Sequence, residues 1–267
     1  LDVAQYKEEY SFKIIVAGCL VQRYIDELKD ELPEVDIFIG VHEYPDIFDI
    51  IKNNFKGDID RFHKRDNLQQ NYERKNLSYK HVGYIKISDG CENFCSYCSI
   101  PFIRGPKKSK PKELVLEEVR KFALDPDVKE IILVAQDTTS YGIDLYGKKV
   151  FTELLSEISD IVPEEKWIRV MYVHPDNLTD DLLDLIYSRK NIANYLDLPI
   201  QHVSDKILDS MNRRYKKKDI IYWMDKIRSA YPKMILRTSL IVGFPGETKK
   251  EYEELKDFIQ QYSFDRL

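Results

Sequence analysis

Three of the four cysteines of this chain fall within one short stretch, Cys91-Glu-Asn-Phe-Cys95-Ser-Tyr-Cys98. Thiolates are soft metal ligands, and three on one loop can hold three irons of a cubane cluster while the fourth iron stays open to another ligand. A structural zinc site wants four ligands, so here it would have to recruit Cys19, His81 or His202 from far along the chain. Ligand count favours iron–sulfur and leaves zinc open. Either way, such clustering argues for metal rather than for disulfides.

A metal loop needs rigid neighbours. The residues just before the cysteines, Gly83–Ile87, form an apolar run of the length expected for a buried parallel strand, and similar runs recur at Glu130–Val134, Ile168–Tyr172, Tyr195–Leu198 and Met234–Val242. Helical periodicity fills the intervals at 111–124, 151–161, 179–189, 204–213 and 218–230, and resumes after Thr248. Pro111 suits a helix start, Thr179 and Ser204 are N-cap types, and Asp180, Asp181 and Asp205 sit where the helix dipole favours negative charge. The order predicts an α/β fold, a partial (βα)6-type barrel over 81–267, with functional loops after the strand C-termini and a sixth strand expected only past Leu267. Gln136-Asp137 would then follow strand two and Gln201-His202 strand four, as ligand contacts or as loop caps.

Upstream, Phe12–Ala17 reads as a strand, Gly18-Cys19 as a turn, and Val21, Tyr24, Ile25 and Leu28 as one face of a helix. Val35–Gly40 and a helix bearing Ile47, Ile50 and Ile51 repeat the pattern, so 1–56 reads as the truncated end of a parallel α/β domain. Residues 57–80 are polar and aperiodic, and read as a linker. Cys19 lies at the C-terminal end of a strand, a usual place for function, although an isolated cysteine is by default a buried structural thiol.

Charged residues make up 33% of the chain and the hydrophobic set 43%, and no apolar run approaches the ~20 residues of a membrane span, so a soluble protein without membrane contact is expected; Leu1–Tyr6 carry neither a basic start nor an apolar stretch, which adds a cytoplasmic setting to that expectation. A net charge of −5 argues against a broad phosphate-binding surface. The basic runs Arg104, Lys107, Lys108, Lys110, Lys112 and Arg213, Arg214, Lys216, Lys217, Lys218 read as solvated loop and helix-end charges.

With C-x3-C-x2-C directly after a first barrel strand and Tyr97 before its last cysteine, the chain resembles the radical S-adenosylmethionine (SAM) superfamily. The resemblance implies a [4Fe–4S] cluster on Cys91, Cys95 and Cys98 whose open iron chelates SAM, and cleavage of SAM to a 5′-deoxyadenosyl radical. Ser239-Leu-Ile-Val-Gly243-Phe-Pro-Gly246-Glu247 resembles the G-x-I-x-G-x-x-G-E segment of the fifth strand on the adenine side of SAM, with Ser239 departing from the first glycine. Tyr97, Gln136, Asp137, Gln201, Arg237 and Gly243 are the cofactor-binding residues this implies.

Within that superfamily the chain is most similar to the methylthiotransferases, over nearly its full length. Val16-Ala-Gly18-Cys19-Leu-Val-Gln22-Arg23 resembles the segment that carries the third cysteine of their auxiliary [4Fe–4S] cluster. Cys19 is then an auxiliary ligand whose partners lie upstream, giving one complete cluster site here and two in a full-length protein, in which a TRAM domain usually follows. Val134–Gly147, Tyr195–His202 and Cys98–Gly105 look like the subfamily that modifies the β-carbon of an aspartate in small-subunit ribosomal protein number twelve. The alternatives are a tRNA adenosine methylthiotransferase, where Gln-Ser-Gly-Ser would stand at 201–204, and, from another class, a zinc-binding interaction module. The implied partners are the ribosomal protein and an electron donor such as flavodoxin or ferredoxin. Arg237 and His202 are the candidates to meet a substrate carboxylate.

Overall fold

The computed structural model describes residues 2–10, 12–54 and 79–267; of the expected 57–80 linker, all but Tyr79 and Lys80 lie outside the described residues. The chain divides into two compact units, Leu1–Asn67 with Ser99–Gly105, and Leu68–Cys98 with Pro106–Leu267. The seven residues that follow Cys98 thus belong to the first unit, which the chain's linear order does not suggest.

In the first unit, α1 (Lys7–Tyr10) precedes β1 (Ile15–Ala17), α2 (Cys19–Glu31), β2 (Ile37–Ile39), α3 (Ile47–Asn54) and, from the separate segment, α4 (Ile100–Arg104). The strands β1 and β2 pair in parallel, Ile15 opposite Ile37. Both are shorter than the apolar runs that announced them. Asp36 explains one end: its carboxylate accepts from the Ile14 amide at 2.9 Å and binds Lys7 and Lys13 at 2.7 and 2.9 Å. Burial pushes the Asp36 acid upward, but those partners hold it far below the usual carboxylate range. Gly18 turns the chain at φ +140°, a value that disfavours any side chain, and delivers Cys19 to the first position of α2.

The second unit is a partial barrel. Strands β3 (Val82–Lys86), β6 (Glu130–Val134) and β7 (Trp167–Val170) form one parallel sheet in that order, and β8 (Tyr195–Asp197) pairs in parallel with β9 (Ile235–Arg237). Backbone bonds join the two sheets, with Ala193 donating to Ile168 at 2.9 Å and Val173 to Asp197 at 2.9 Å. Strands β4 (Ser88–Asp89) and β5 (Lys108–Ser109) form a small antiparallel pair flanking the cysteine loop. Helices α5 (Lys112–Leu124), α6 (Ile143–Tyr146), α7 (Phe151–Ile161), α8 (Asp180–Ser188), α9 (Asp205–Ser210), α10 (Lys217–Ala230) and α11 (Lys249–Tyr262) alternate with the strands.

Strand residues alternate between two environments, as the two-residue period requires. Ile85, Ile131, Leu133, Ile168, Leu196 and Leu236 are fully buried in a core shared with Leu154, Leu155, Leu183, Met224 and Phe258 of the helices. The intervening positions Tyr84, Ile132, Arg169, Tyr195 and Ile235 line a cavity of about 830 Å³. Thr179 and Thr248 cap their helices, accepting from Leu182 and Lys250 at 3.3 Å, whereas Ser204 makes no capping bond.

Three expectations are corrected. The fifth strand ends at Arg237 rather than Val242, because the Thr238 hydroxyl takes the place of backbone partners there, donating to Leu198 O and accepting from Ile200 N at 2.8 and 3.2 Å. The helix expected over 204–213 stops at Ser210, and Asn212 adopts a left-handed conformation at φ +58°. A sixth strand position is already present, since Asp265 and Arg266 donate to Leu236 O and Arg266 accepts from Thr238 N at 3.0 Å.

Close packing of β3 on α5 gives a test. A Cβ at Gly83 would lie 2.8 Å from Cγ of Phe122. Gly83→Ala should cost about 1–3 kcal/mol in urea unfolding, and Phe122→Leu in the same chain should recover part of that loss, giving a non-additive cycle.

Candidate functional site

Cys91, Cys95 and Cys98 are free and half-buried on the loop after β3 and β4. The loop's path is unusual for its sequence: Phe94 is left-handed at φ +47°. The end of α9 holds it there. Ser96 N donates to Met211 O at 3.1 Å, Ser96 Oγ to Ser210 O at 2.8 Å, and Asn212 Nδ2 to Phe94 O at 2.9 Å. From the segment after β6, Asp137 accepts Asn93 Nδ2 at 3.3 Å. A strained residue bound by this many partners keeps its conformation.

Burial raises the Cys91 and Cys95 thiols above their usual range. Two buried cations work against that. Lys107, only 7% exposed, donates to Asp137 O at 2.6 Å and lowers Cys91, and the Arg213 guanidinium lowers Cys95. Arg213 also bonds the Tyr97 hydroxyl, meets His174 Nε2 at 2.5 Å and lies over the Tyr97 and Tyr215 rings. Burial, ahead of Cys95, pushes the Tyr97 phenol up to about 12. Neither cation is a solvated charge, contrary to the reading of the two basic runs; Lys110 is buried as well, paired with Glu118 at 2.5 Å.

These donors fit an iron–sulfur cluster: three free thiols on one loop, with cations placed to offset thiolate charge. Among the described residues, no group of three or more His, Cys, Asp or Glu side chains, the three cysteines included, is drawn together closely enough to hold a metal ion, so the fit rests on the chemistry of the donors. Of the suggested fourth zinc ligands, His202 is fully buried and its Nδ1 already accepts Ser204 N at 3.0 Å.

The remaining predicted residues divide. Gln136 is half-buried after β6, and its Oε1 is buried without a hydrogen-bond partner among the described residues. Asp137 is a cap: its carboxylate takes Ser140 N, Thr139 Oγ1, Asn93 Nδ2 and Asn177 Nδ2, so no side is left for a cofactor. Burial raises Asp137, but Lys107 and His174 outweigh it and hold the acid below its ordinary value. Gln201 stands at φ +64° and exchanges backbone bonds with Ser239 and Ile241 at 3.0 and 2.8 Å. Gly243 is exposed at φ +78° in the turn after β9. Arg237 lines the cavity and pairs with Asp197 at 3.3 Å. His202 has no access to the cavity, so its proposed contact with substrate is withdrawn.

Sequence reasoning missed Lys107, His174, Asp197 and Arg213. Asp197 is 1% exposed, with Oδ2 bonded to Tyr172 N at 3.2 Å and Oδ1 without a partner among the described residues. Its only signal was a carboxylate in an otherwise apolar strand. In the first unit, Cys19 is exposed rather than buried, and Arg104 donates to its sulfur at 3.6 Å.

Residues 85–259 match the family described as the Radical SAM superfamily. The ribosomal protein uS12 methylthiotransferase RimO of Acetivibrio thermocellus is 46% identical over 277 residues, covering 100% of this chain and 60% of that protein. The same enzyme of Clostridium botulinum (strain Eklund 17B / Type B) is 43% identical with the same coverage. The chain therefore spans about 60% of the length of these relatives. Of solved structures, the radical SAM methyltransferase TsrM of Kitasatospora setae, with cobalamin and a [4Fe–4S] cluster bound, aligns at a TM-score of 0.74 over 98% of this chain and 56% of that one. At 11% identity that likeness is one of fold.

The site has a pH signature. Burial, ahead of Arg213, holds the His174 imidazole down at about 4, against a partial upward pull from Asp137. A neutral His174 in the folded state and a protonated one in the unfolded state make stability fall as pH drops from about 6.5 to 4, with no contribution above that window. His174→Gln should flatten this stretch of a stability-versus-pH curve by roughly 3 kcal/mol.

Proposed function

Because this chain belongs to the radical SAM superfamily, we propose that it uses Cys91, Cys95 and Cys98 to start the methylthiolation of an aspartate β-carbon in ribosomal protein uS12. The observation that carries this reading is the cysteine loop itself: three free thiols, pinned at the C-terminal mouth of a parallel barrel and flanked by buried Lys107 and Arg213. Relatives 43–46% identical along the whole chain, named as uS12 methylthiotransferases, support the substrate.

The three cysteines would hold the [4Fe–4S] cluster. When bound, the cluster supplies the single electron that cleaves SAM to a carbon radical. Lys107 and Arg213 offset thiolate charge, and Asn212, Ser96 and Asp137 fix the loop. Gln136, Gln201 and the backbone near Gly243 follow β6, β8 and β9, at whose C-terminal ends SAM would lie. Tyr97, bound to Arg213, forms part of the same rim. Arg237 is the group suited to a substrate carboxylate, because a carboxylate losing water needs a charge-assisted donor. Asp197 holds Arg237 from behind and aligns it.

Cys19 is proposed as one ligand of an auxiliary cluster completed by residues outside this chain, with the Arg104 guanidinium donating to its sulfur. The domain division at 1–56, 57–80 and 81–267, a flavodoxin- or ferredoxin-type electron donor and a cytoplasmic setting belong to the same proposal. No helix among the described residues is long and apolar enough to cross a membrane.

Two measurements test the reading. Cys91→Ala, Cys95→Ala and Cys98→Ala should each abolish 5′-deoxyadenosine formation under dithionite while far-ultraviolet circular dichroism is kept; substantial formation by any of them contradicts the ligand assignment. Mass spectrometry of uS12 and of bulk tRNA, from cells lacking or overproducing the full-length enzyme, should find the added methylthio group on the protein. A gain on tRNA adenosine instead would replace the substrate and keep the radical chemistry.

A further inference from the structure

The exposed turn at 243–246 is shaped by one side chain. Gly243 and Gly246 are both left-handed, at φ +78° and +87°, and Gly243 and Phe244 donate their amides to Oε2 of Glu247 at 2.5 and 3.0 Å. The Glu247 backbone closes the turn on Phe244 O at 2.8 Å. Although Gly243, Pro245 and Gly246 are exposed, the Glu247 side chain is only 4% exposed, because its Oε1 is directed at the interior.

There it meets His202. The imidazole is fully buried after β8, and its Nε2 stands 3.6 Å from Glu247 Oε1, just beyond hydrogen-bond distance; neither atom has a hydrogen-bond partner among the described residues. Since Nδ1 accepts from Ser204 N at 3.0 Å, a neutral ring carries its proton on Nε2, the nitrogen that faces the carboxylate. A second tie runs beside it: Lys206 Nζ donates to Gly246 O at 2.9 Å. The loop after β8 and the first turn of α9 thus meet the turn after β9 at two points, beyond the backbone exchange of Gln201 with Ser239 and Ile241.

We propose that His202 and Glu247 form a buried clasp that positions the Gly243–Phe244 backbone for SAM, with His202 acting through Glu247 and touching neither cofactor nor substrate. This rests on the radical SAM reading of the site. The clasp closes when a shift of a few tenths of an ångström lets Oε1 of Glu247 accept the imidazole N–H while Oε2 keeps the two amides. A glutamine has one acceptor oxygen, so Glu247→Gln can cap the turn or meet His202, but it cannot do both. His202→Gln keeps an N–H donor for Glu247, and His202→Leu fills the site without one.

The test uses the cluster-loaded chain. Calorimetry with SAM should show Glu247→Gln and His202→Leu binding about tenfold more weakly than wild type, the scale of one hydrogen bond to a charged group, and His202→Gln should recover most of the loss. Hydrogen exchange should show the Gly243 and Phe244 amides exchanging faster in the two weakened variants, while core amides of β6, iron content and the SAM-free spectrum of the reduced cluster stay as in wild type. Unchanged affinity in both variants overturns the clasp, and so does faster exchange with unchanged affinity. Should His202→Leu misfold, the near-isosteric Glu247→Gln decides alone. Failure of wild type itself to bind SAM would count against the radical SAM chemistry, and the clasp would then stand or fall on amide exchange.

Discussion

The proposed site is organised around one electrostatic constraint: three cysteines that would serve as thiolates share a loop that is half out of water. Burial disfavours a thiolate, and it raises Cys91 and Cys95 accordingly. The fold answers with cations taken out of solvent themselves. Lys107 and Arg213 come from opposite sides, one from the segment after the loop and one from the turn after α9, and each is committed to a polar partner that keeps it in place. Asp137 is what Lys107 leans on, and His174, held neutral by burial, lets Arg213 approach without a second positive charge beside it. Removing Lys107 would leave the buried Asp137 carboxylate without its nearest cation, and removing His174 would take a polar partner from Arg213.

The barrel explains why these groups can meet at all. Parallel strands deliver successive loops to one edge, so residues from β3, β6, β7 and β8 converge although they are distant in sequence. One face of each strand is sealed against helices by Ile, Leu and Val. The other carries Tyr84, Arg169, Tyr195 and Arg237 toward a cavity of about 830 Å³, large enough for a ligand and polar enough to orient one. The paired charges there, Arg169 with Glu130 at 2.5 Å and Arg237 with Asp197, keep the cations rigid. The same convergence joins the loop after β8 to the turn after β9, which neither loop could shape alone.

In the first unit the same economy appears on a smaller scale. A short parallel pair ends at Gly18, whose backbone no other residue adopts without strain, and Cys19 emerges at a helix start within reach of Arg104. The guanidinium comes from residues that follow Cys98 directly in the chain.

What the sequence determined by itself was periodic or local. Apolar runs and helical spacing marked the five parallel strands and the helices α5 and α7 to α11, because a two-residue or 3.6-residue repeat is written in consecutive positions, and left the short β4, β5 and α6 unmarked. The cysteine triplet and the glycine turn were legible for the same reason: their chemistry lies within a few residues. Element ends were less so. Thr238 cut short the fifth strand by bonding across to Leu198 and Ile200, partners about forty positions away. Only the tertiary structure decided which charges are buried. Lys107 and Arg213 sit in basic runs that look solvated, Asp137 and Gln136 are neighbours with opposite fates, and His202 is sealed from the mouth it was expected to reach. Burial and hydrogen-bond partners are set by what other elements bring to a point in space, and no local pattern of residues encodes that.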